Sequence, residues 1–188
     1  EQSPTGTPSP AAAPNACPKR IFLPTADTRL IALNADTGKM CEDFGDKGQV
    51  DLRANIGGAA AGGHSPTPPP AVTKDLVVIG GHVTDNVSTD EPSGVIRAFD
   101  VHTGKLVWNW DSGNPDDTTP LAEGKTYTRN SPNMWSMFSV DEKLGMLYLP
   151  MGNQMPDQSG GDRTDDSEQY AAALPALAID TSPVTWTF

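Results

Sequence analysis

A chain of 188 residues is long enough for one ordinary domain or for part of a larger one. Its eighteen glycines and eighteen prolines, about a fifth of the chain, exclude a helical bundle and favour a turn-rich β architecture. Thirteen basic against twenty-four acidic side chains leave a net charge of −11, which excludes a general attraction for nucleic acid or anionic lipid.

In chain order, the first sixteen residues (EQSPTGTPSPAAAPNA) hold four prolines and no large apolar side chain, and read as a flexible segment. Residues 17–188 read as one folded unit. Cys17 and Cys41 are 24 positions apart, which is neither metal-site nor CxxC spacing. A disulfide and a pair of buried thiols both remain open. β-type segments are predicted at residues 20–25 and 29–35, then 76–80 and 95–101, then 146–150 and 173–179. Between the first two groups lies the low-complexity patch GGAAAGGHSPTPPPA (57–71), and a polar stretch, DQSGGDRTDDSEQ, spans 157–169. Helical periodicity is absent, and no apolar run approaches the roughly 20 residues needed to cross a bilayer.

The strongest signal is an internal repeat. Ala32-Leu33-Asn34-Ala35-Asp36-Thr37-Gly38-Lys39 recurs as Ala98-Phe99-Asp100-Val101-His102-Thr103-Gly104-Lys105 and again as Ala176-Leu177-Ala178-Ile179-Asp180-Thr181-Ser182-Pro183. Ten residues after the alanine stand Glu42, Trp108 and Trp186 respectively. An Asp/Asn-Thr-Gly turn closes an antiparallel hairpin, glycine supplying the positive φ. The small alanine admits a close neighbour, and the indole brings a large buried surface. Repeated strand units with long variable connections are the pattern of β-propeller blades, of which two to three are visible here. A closed propeller needs at least about four, so the chain is expected to be part of a larger ring, its open strand edges meeting the remaining blades or self-associating.

The repeat Ala-x-Asp-x-x-Thr-Gly-x-x-x-Trp, best seen at Ala98–Trp108, resembles the tryptophan-docking motif of the pyrroloquinoline quinone (PQQ) dehydrogenases. Three longer passages resemble the membrane-bound quinoprotein glucose, quinate and shikimate dehydrogenases. They are CPKRIFLPTADTRLIALNADTGKMCEDFG, VVIGGHVTDNVSTDEPSGVIRAFDVHTGKLVWNWDSGNPD and NSPNMWSMFSVDEKLGMLYLPMGNQMPD. The resemblance implies an all-β, eight-bladed propeller that binds PQQ with Ca²⁺ or Mg²⁺. It implies oxidation of aldoses such as glucose at C1 to the lactone, PQQ being the hydride acceptor and ubiquinone the final one. It also implies a periplasmic setting, with ubiquinone reached through a membrane domain. Quinate or shikimate oxidation is the alternative within the group, and a non-catalytic propeller piece acting as a binding module is the alternative outside it.

The same resemblance assigns residues. In VTDN, Asp85 is the candidate metal ligand with Asn86 beside it, and in MGNQMP the ligand is Asn153; oxygen donors of this kind suit a hard divalent cation. Trp135 in NSPNMW falls where these enzymes put an indole against the quinone, and Asn130, Ser131 and Asn133 supply a polar rim. The aspartate that serves the family as catalytic base lies beyond the point matching Phe188, so no catalytic residue is assigned. Ser159, Asp165, the Ala59–Ala61 run and Ser182-Pro183 depart from the family pattern. His64, His82 and His102 share no ligand spacing, and the acidic group Asp162, Asp165, Asp166 and Glu168 reads as a solvated loop.

Overall fold

The sheets are built from short strands, each long enough to bury one or two alternating pairs of side chains. The computed structural model describes residues 17–57, 63–161 and 163–188; the predicted flexible segment and the Ala59–Ala61 run lie outside them. Thirteen strands follow in chain order: β1 (Arg20–Pro24), β2 (Arg29–Asn34), β3 (Gln49–Asp51), β4 (His64–Ser65), β5 (Ala71–Val72), β6 (Leu76–Ile79) and β7 (His82–Val83). Then come β8 (Ile96–Asp100), β9 (Leu106–Trp110), β10 (Ser139–Asp141), β11 (Met146–Tyr148), β12 (Pro175–Ala178) and β13 (Val184–Thr187). One helix, α1 (Asp165–Tyr170), precedes β12. They form a first sheet β1-β2-β3, a middle sheet β5-β6-β8-β9, a third sheet β10-β11-β12-β13, and a small β4-β7 pair. Every strand pairing is antiparallel.

The middle sheet is apolar on both faces. The run Leu76-Val77-Val78-Ile79 has no polar alternation because both of its faces meet another sheet. Leu76 and Val78 join Ile96, Ala98, Trp108 and Trp110 against Leu147 and Leu177 of the third sheet and Leu149 just beyond β11. Val77 and Ile79 turn the other way, joining Phe99 and Val101 against Leu30 and Ala32 of the first and against Phe44 and Leu52 from the segments flanking β3. Burying a side chain of this size is worth about 1.5–3 kcal/mol. The buried Arg97 adds a polar staple, donating to Leu52 O at 2.6 Å and Ala54 O at 3.1 Å. Burial lowers its pKa to about 10, which leaves it protonated at neutral pH.

The repeat is visible in three dimensions. Asp100 Oδ1 accepts from the amides of His102 and Thr103 at 3.0 and 2.7 Å, and Gly104, at φ 70°, donates back to Asp100 O at 2.9 Å. Gly38 repeats this with Asn34 O at 2.8 Å. In the third copy Ser182 keeps the bond, to Ala178 O at 2.8 Å, at φ 59°. A left-handed backbone at a residue with a side chain costs about 1–2 kcal/mol. Opposite each alanine stands the indole, Ala98 facing Trp108 and Ala176 facing Trp186, and both sheets carry an irregularity directly after that alanine. The first copy departs. Where a fourth strand would lie, the chain runs irregularly through Met40 to Gly48, and Cys41 is joined by a disulfide to Cys17 with Cα atoms 5.7 Å apart. The disulfide left open by spacing is therefore formed, and a loop of this size is stabilised by about 3 kcal/mol.

The acidic stretch after Asp162 is not a solvated loop. Thr164 caps helix α1 by accepting from Ser167 N at 3.2 Å, and Asp165, Asp166 and Glu168 in its first turn face the positive end of its dipole. Tyr170 anchors it edge-on to Trp110, ring centroids 5.0 Å apart.

The two tryptophans of the repeat differ in burial. Trp108 is 3% exposed and its indole donates to Ile179 O at 2.8 Å, whereas Trp186 is 45% exposed. Trp108→Phe leaves that carbonyl unpaired and is expected to lower the unfolding free energy by about 2 kcal/mol in urea titrations. Trp186→Phe is expected to change it by less than about 0.5 kcal/mol.

Candidate functional site

The register of the strands sorts the connections into two ends. Hairpin turns 101–105 and 179–183 lie at one end, while Ile79 pairs with Arg97 and Ile96 with Trp110 at the other. The long connections 80–95, 111–138 and 149–174 therefore leave the middle and third sheets on the same side. A cavity of about 320 Å³ opens among them, lined by His82, Asp85, Asn133, Trp135, Gly152, Asn153, Met155, Asp157 and Ala172.

The segment carrying Asn133 and Trp135 is held by its main chain. Asp111, buried at the end of β9, accepts from Thr128 N at 2.6 Å and Gly113 N at 3.1 Å, which pins the long connection. Ser112 Oγ then donates to Pro132 O at 3.0 Å, and Gly152 N to Asn133 O at 2.7 Å. Two glycines let this segment approach. A Cβ on Gly94 would sit 2.2 Å from Pro132 O, and one on Gly152 would sit 2.9 Å from Trp135 Nε1 and 3.1 Å from Asn133 Oδ1.

Four of the seven residues assigned from sequence meet in the cavity. Trp135 is 58% exposed, so its indole is not core. Asn133 is 1% exposed, and neither its Oδ1 nor its Nδ2 has a hydrogen-bond partner among the described residues. A buried amide with both ends unpaired is costly unless something else satisfies it. Asp85 carries a half-exposed carboxylate 3.8 Å from His82 Nε2. Asn153 donates from Nδ2 to Asp157 O at 3.1 Å, which leaves its oxygen without a partner among the described residues.

The other three do not line the cavity. Asn86 Oδ1 accepts from Asp157 N at 3.3 Å, tying the VTDN turn to the MGNQMP segment. Asn130, at φ 56°, turns its amide back to Met155 O at 2.6 Å. Ser131 Oγ accepts from Gly94 N at 3.1 Å and lies 3.2 Å from Ser93 Oγ. Asn130 and Ser131 thus form the wall behind Asn133. Sequence reasoning passed over His82 and Asp157; the only signal for His82 was its i,i+3 spacing to Asp85. Near the cavity's outer edge His64 is buried, and desolvation, with Arg97 next in effect, lowers its pKa to about 3. It is neutral at physiological pH. Among the described residues no helix is long and apolar enough to cross a membrane.

Residues 5–188 match the β-propeller domain family of PQQ-dependent glucose/ethanol/alcohol dehydrogenases. The sequence is 49% identical over 172 residues to quinoprotein glucose dehydrogenase A of Acinetobacter calcoaceticus, covering 92% of this chain and 22% of that protein. It is 41% identical over 184 residues to quinate/shikimate dehydrogenase (quinone) of Acinetobacter baylyi, covering 97% of this chain and 23% of that one. The fold superposes on the quinohemoprotein alcohol dehydrogenase of Comamonas testosteroni with a TM-score of 0.62 at 23% identity, over 90% of this chain and 25% of that structure.

The two glycines separate packing from site shape. Gly94→Ala forces main chain against main chain and is expected to cost about 1–3 kcal/mol of stability by urea unfolding. Gly152→Ala meets only side chains. It is expected to cost less than about 1 kcal/mol and to change tryptophan emission, a change that vanishes when Trp135 is first replaced by Phe.

Proposed function

The chain belongs to the β-propeller family of PQQ-dependent glucose/ethanol/alcohol dehydrogenases, and on that premise we propose that it is the part of a sugar dehydrogenase that half-encloses PQQ and a divalent cation, Ca²⁺ or Mg²⁺. The observation that carries the reading is the pairing of an exposed indole, Trp135, with a buried and wholly unpartnered amide, Asn133, in one cavity. A flat aromatic cofactor needs an apolar face to lie on and polar groups at its edge. Trp135 offers the first and Asn133 the second, while Asn130 and Ser131 stand outside the cavity and support the segment that carries them. Asp85 and Asn153 offer oxygens of the kind a hard cation takes, and Asn86, outside the cavity, ties the Asp85 turn to Asp157. PQQ, when bound, takes up the electrons removed from the substrate.

What these residues do is bind and orient. The main-chain grip on residues 130–135 fixes the plane of the indole. The unsatisfied amide would anchor the cofactor's edge, offering it both a donor and an acceptor. The proton removed from the sugar hydroxyl at C1 needs a base within hydrogen-bond reach. That base is proposed to come from the portion of the protein beyond this segment, since the chain spans 22% of the glucose dehydrogenase it matches. The electrons pass onward to ubiquinone through a membrane domain, and the protein works in the periplasm. The remaining blades cover the outer faces of the first and third sheets, where Ile21, Leu23 and Trp186 are exposed. Aldose is the proposed substrate class on the strength of the higher identity to the glucose dehydrogenase; quinate or shikimate is the second reading, favoured by the 41% match.

Titration with PQQ in the presence of Ca²⁺ is expected to quench tryptophan emission saturably. The quench should disappear in Trp135→Ala and weaken by about tenfold in Asn133→Ala, a loss of about 1.4 kcal/mol. A folded chain whose emission PQQ leaves unchanged would overturn the reading.

A further inference from the structure

One oxygen in the cavity has no assignment. Asp157 follows MGNQMP directly, and its main chain is gripped by three side chains. Its amide donates to Asn86 Oδ1 at 3.3 Å, while its carbonyl accepts from Asn153 Nδ2 at 3.1 Å and Arg163 Nη2 at 3.0 Å. Two of those three side chains belong to residues assigned to the metal. Their amides reach Asp157 rather than each other.

The side chain so positioned is left bare. Among the described residues Asp157 Oδ1 is buried without a hydrogen-bond partner, and the residue lines the cavity together with Asp85 and Asn153. Among the described residues no lysine or arginine pairs with either carboxylate; Arg163, the nearest such group, pairs with Glu168 at 3.0 Å. A buried carboxylate oxygen without a hydrogen-bond partner is disfavoured unless a ligand meets it. An independent observation points to a ligand in the same cavity. Asn133, 1% exposed, leaves both ends of its amide unsatisfied there.

We propose that Asp157 is a further oxygen ligand of the divalent cation, joining Asp85 and Asn153. The inference rests on the cation reading of this cavity given above and extends it to a residue that reading does not use. Two carboxylates balance a divalent charge, and an all-oxygen donor set selects Ca²⁺ or Mg²⁺ over softer metals. Asn86 and Arg163 are then positioning residues, holding the Asp157 main chain so that its carboxylate needs no further ordering when the ion arrives.

Tb³⁺, a hard cation that takes Ca²⁺ sites and emits when an adjacent indole is excited, reads this out without catalysis. The 188-residue chain is titrated with Tb³⁺, displaced with Ca²⁺, and its emission lifetime compared in H₂O and D₂O to count bound waters. Asp157→Asn is expected to weaken binding by about tenfold or more with the bound-water count little changed, since it removes the charge but leaves an amide oxygen in place. Asp157→Ala gives at least that loss and adds about one bound water, which fills the vacated oxygen position, and it serves if the amide disturbs folding, as judged by circular dichroism. Unchanged affinity and hydration in both variants, with binding lost in Asp85→Asn, overturns the role of Asp157 and leaves the cation site standing. A wild-type chain with no saturable, Ca²⁺-displaceable emission overturns the cation reading and the role of Asp157 with it.

Discussion

The structure depends on one sheet being apolar on both faces. Leu76 and Val78 look one way and Val77 and Ile79 the other, so strand β6 cannot rest against solvent on either side. Each face requires a neighbouring sheet, and the twist between neighbours sets their orientation. That stacking decides where the connections leave. With the tight hairpins at one end, the long connections are gathered at the other, and residues 68 positions apart, Asp85 and Asn153, come to line one cavity. The architecture is thus not a background to the site. The alternation of four apolar side chains builds the platform from which the site's loops are hung.

The cavity brings two side chains with unpaired buried atoms together. Nearby, Arg97 sits on two carbonyls, Asp111 on two amides and Trp108 on Ile179, although single buried atoms such as Trp110 Nε1 and Thr187 Oγ1 also lack a partner among the described residues. Here Asn133 and Asp157 present buried atoms with no partner, while their main chains are bonded firmly in place. Rigid backbone with unsatisfied side chains is the arrangement expected of a preorganised binding site, because the cost of ordering is met on folding rather than on binding. The proposed quinone and cation each supply what these atoms lack.

The sequence made the hairpin units and their strands legible, because Asp100 and Gly104 carry turn chemistry that depends on few long-range contacts. Trp135 and Asn133 were legible through family likeness. What stayed hidden was set by contacts between distant segments. Asn130 and Ser131 sit beside Asn133 in sequence, yet the bonds to Met155 O and Gly94 N turn them behind the wall. Asp157 escaped notice since its position follows from Asn86, far away in sequence. Helix α1 was hidden by composition: an acidic run resembles a solvated loop until Thr164 is recognised as its cap. The disulfide followed neither from spacing nor from composition, but from the β1–β2 register that brings Cys41 back to Cys17.

The most direct test of the central claim is anomalous diffraction from a crystal of the protein grown with PQQ and Sr²⁺, a heavier stand-in for Ca²⁺. The account predicts planar density against the Trp135 indole and a single strong peak bonded to oxygens of Asp85 and Asn153 at about 2.3–2.6 Å. PQQ and cation both bound, but away from this cavity and with Trp135 still open to solvent, would contradict it.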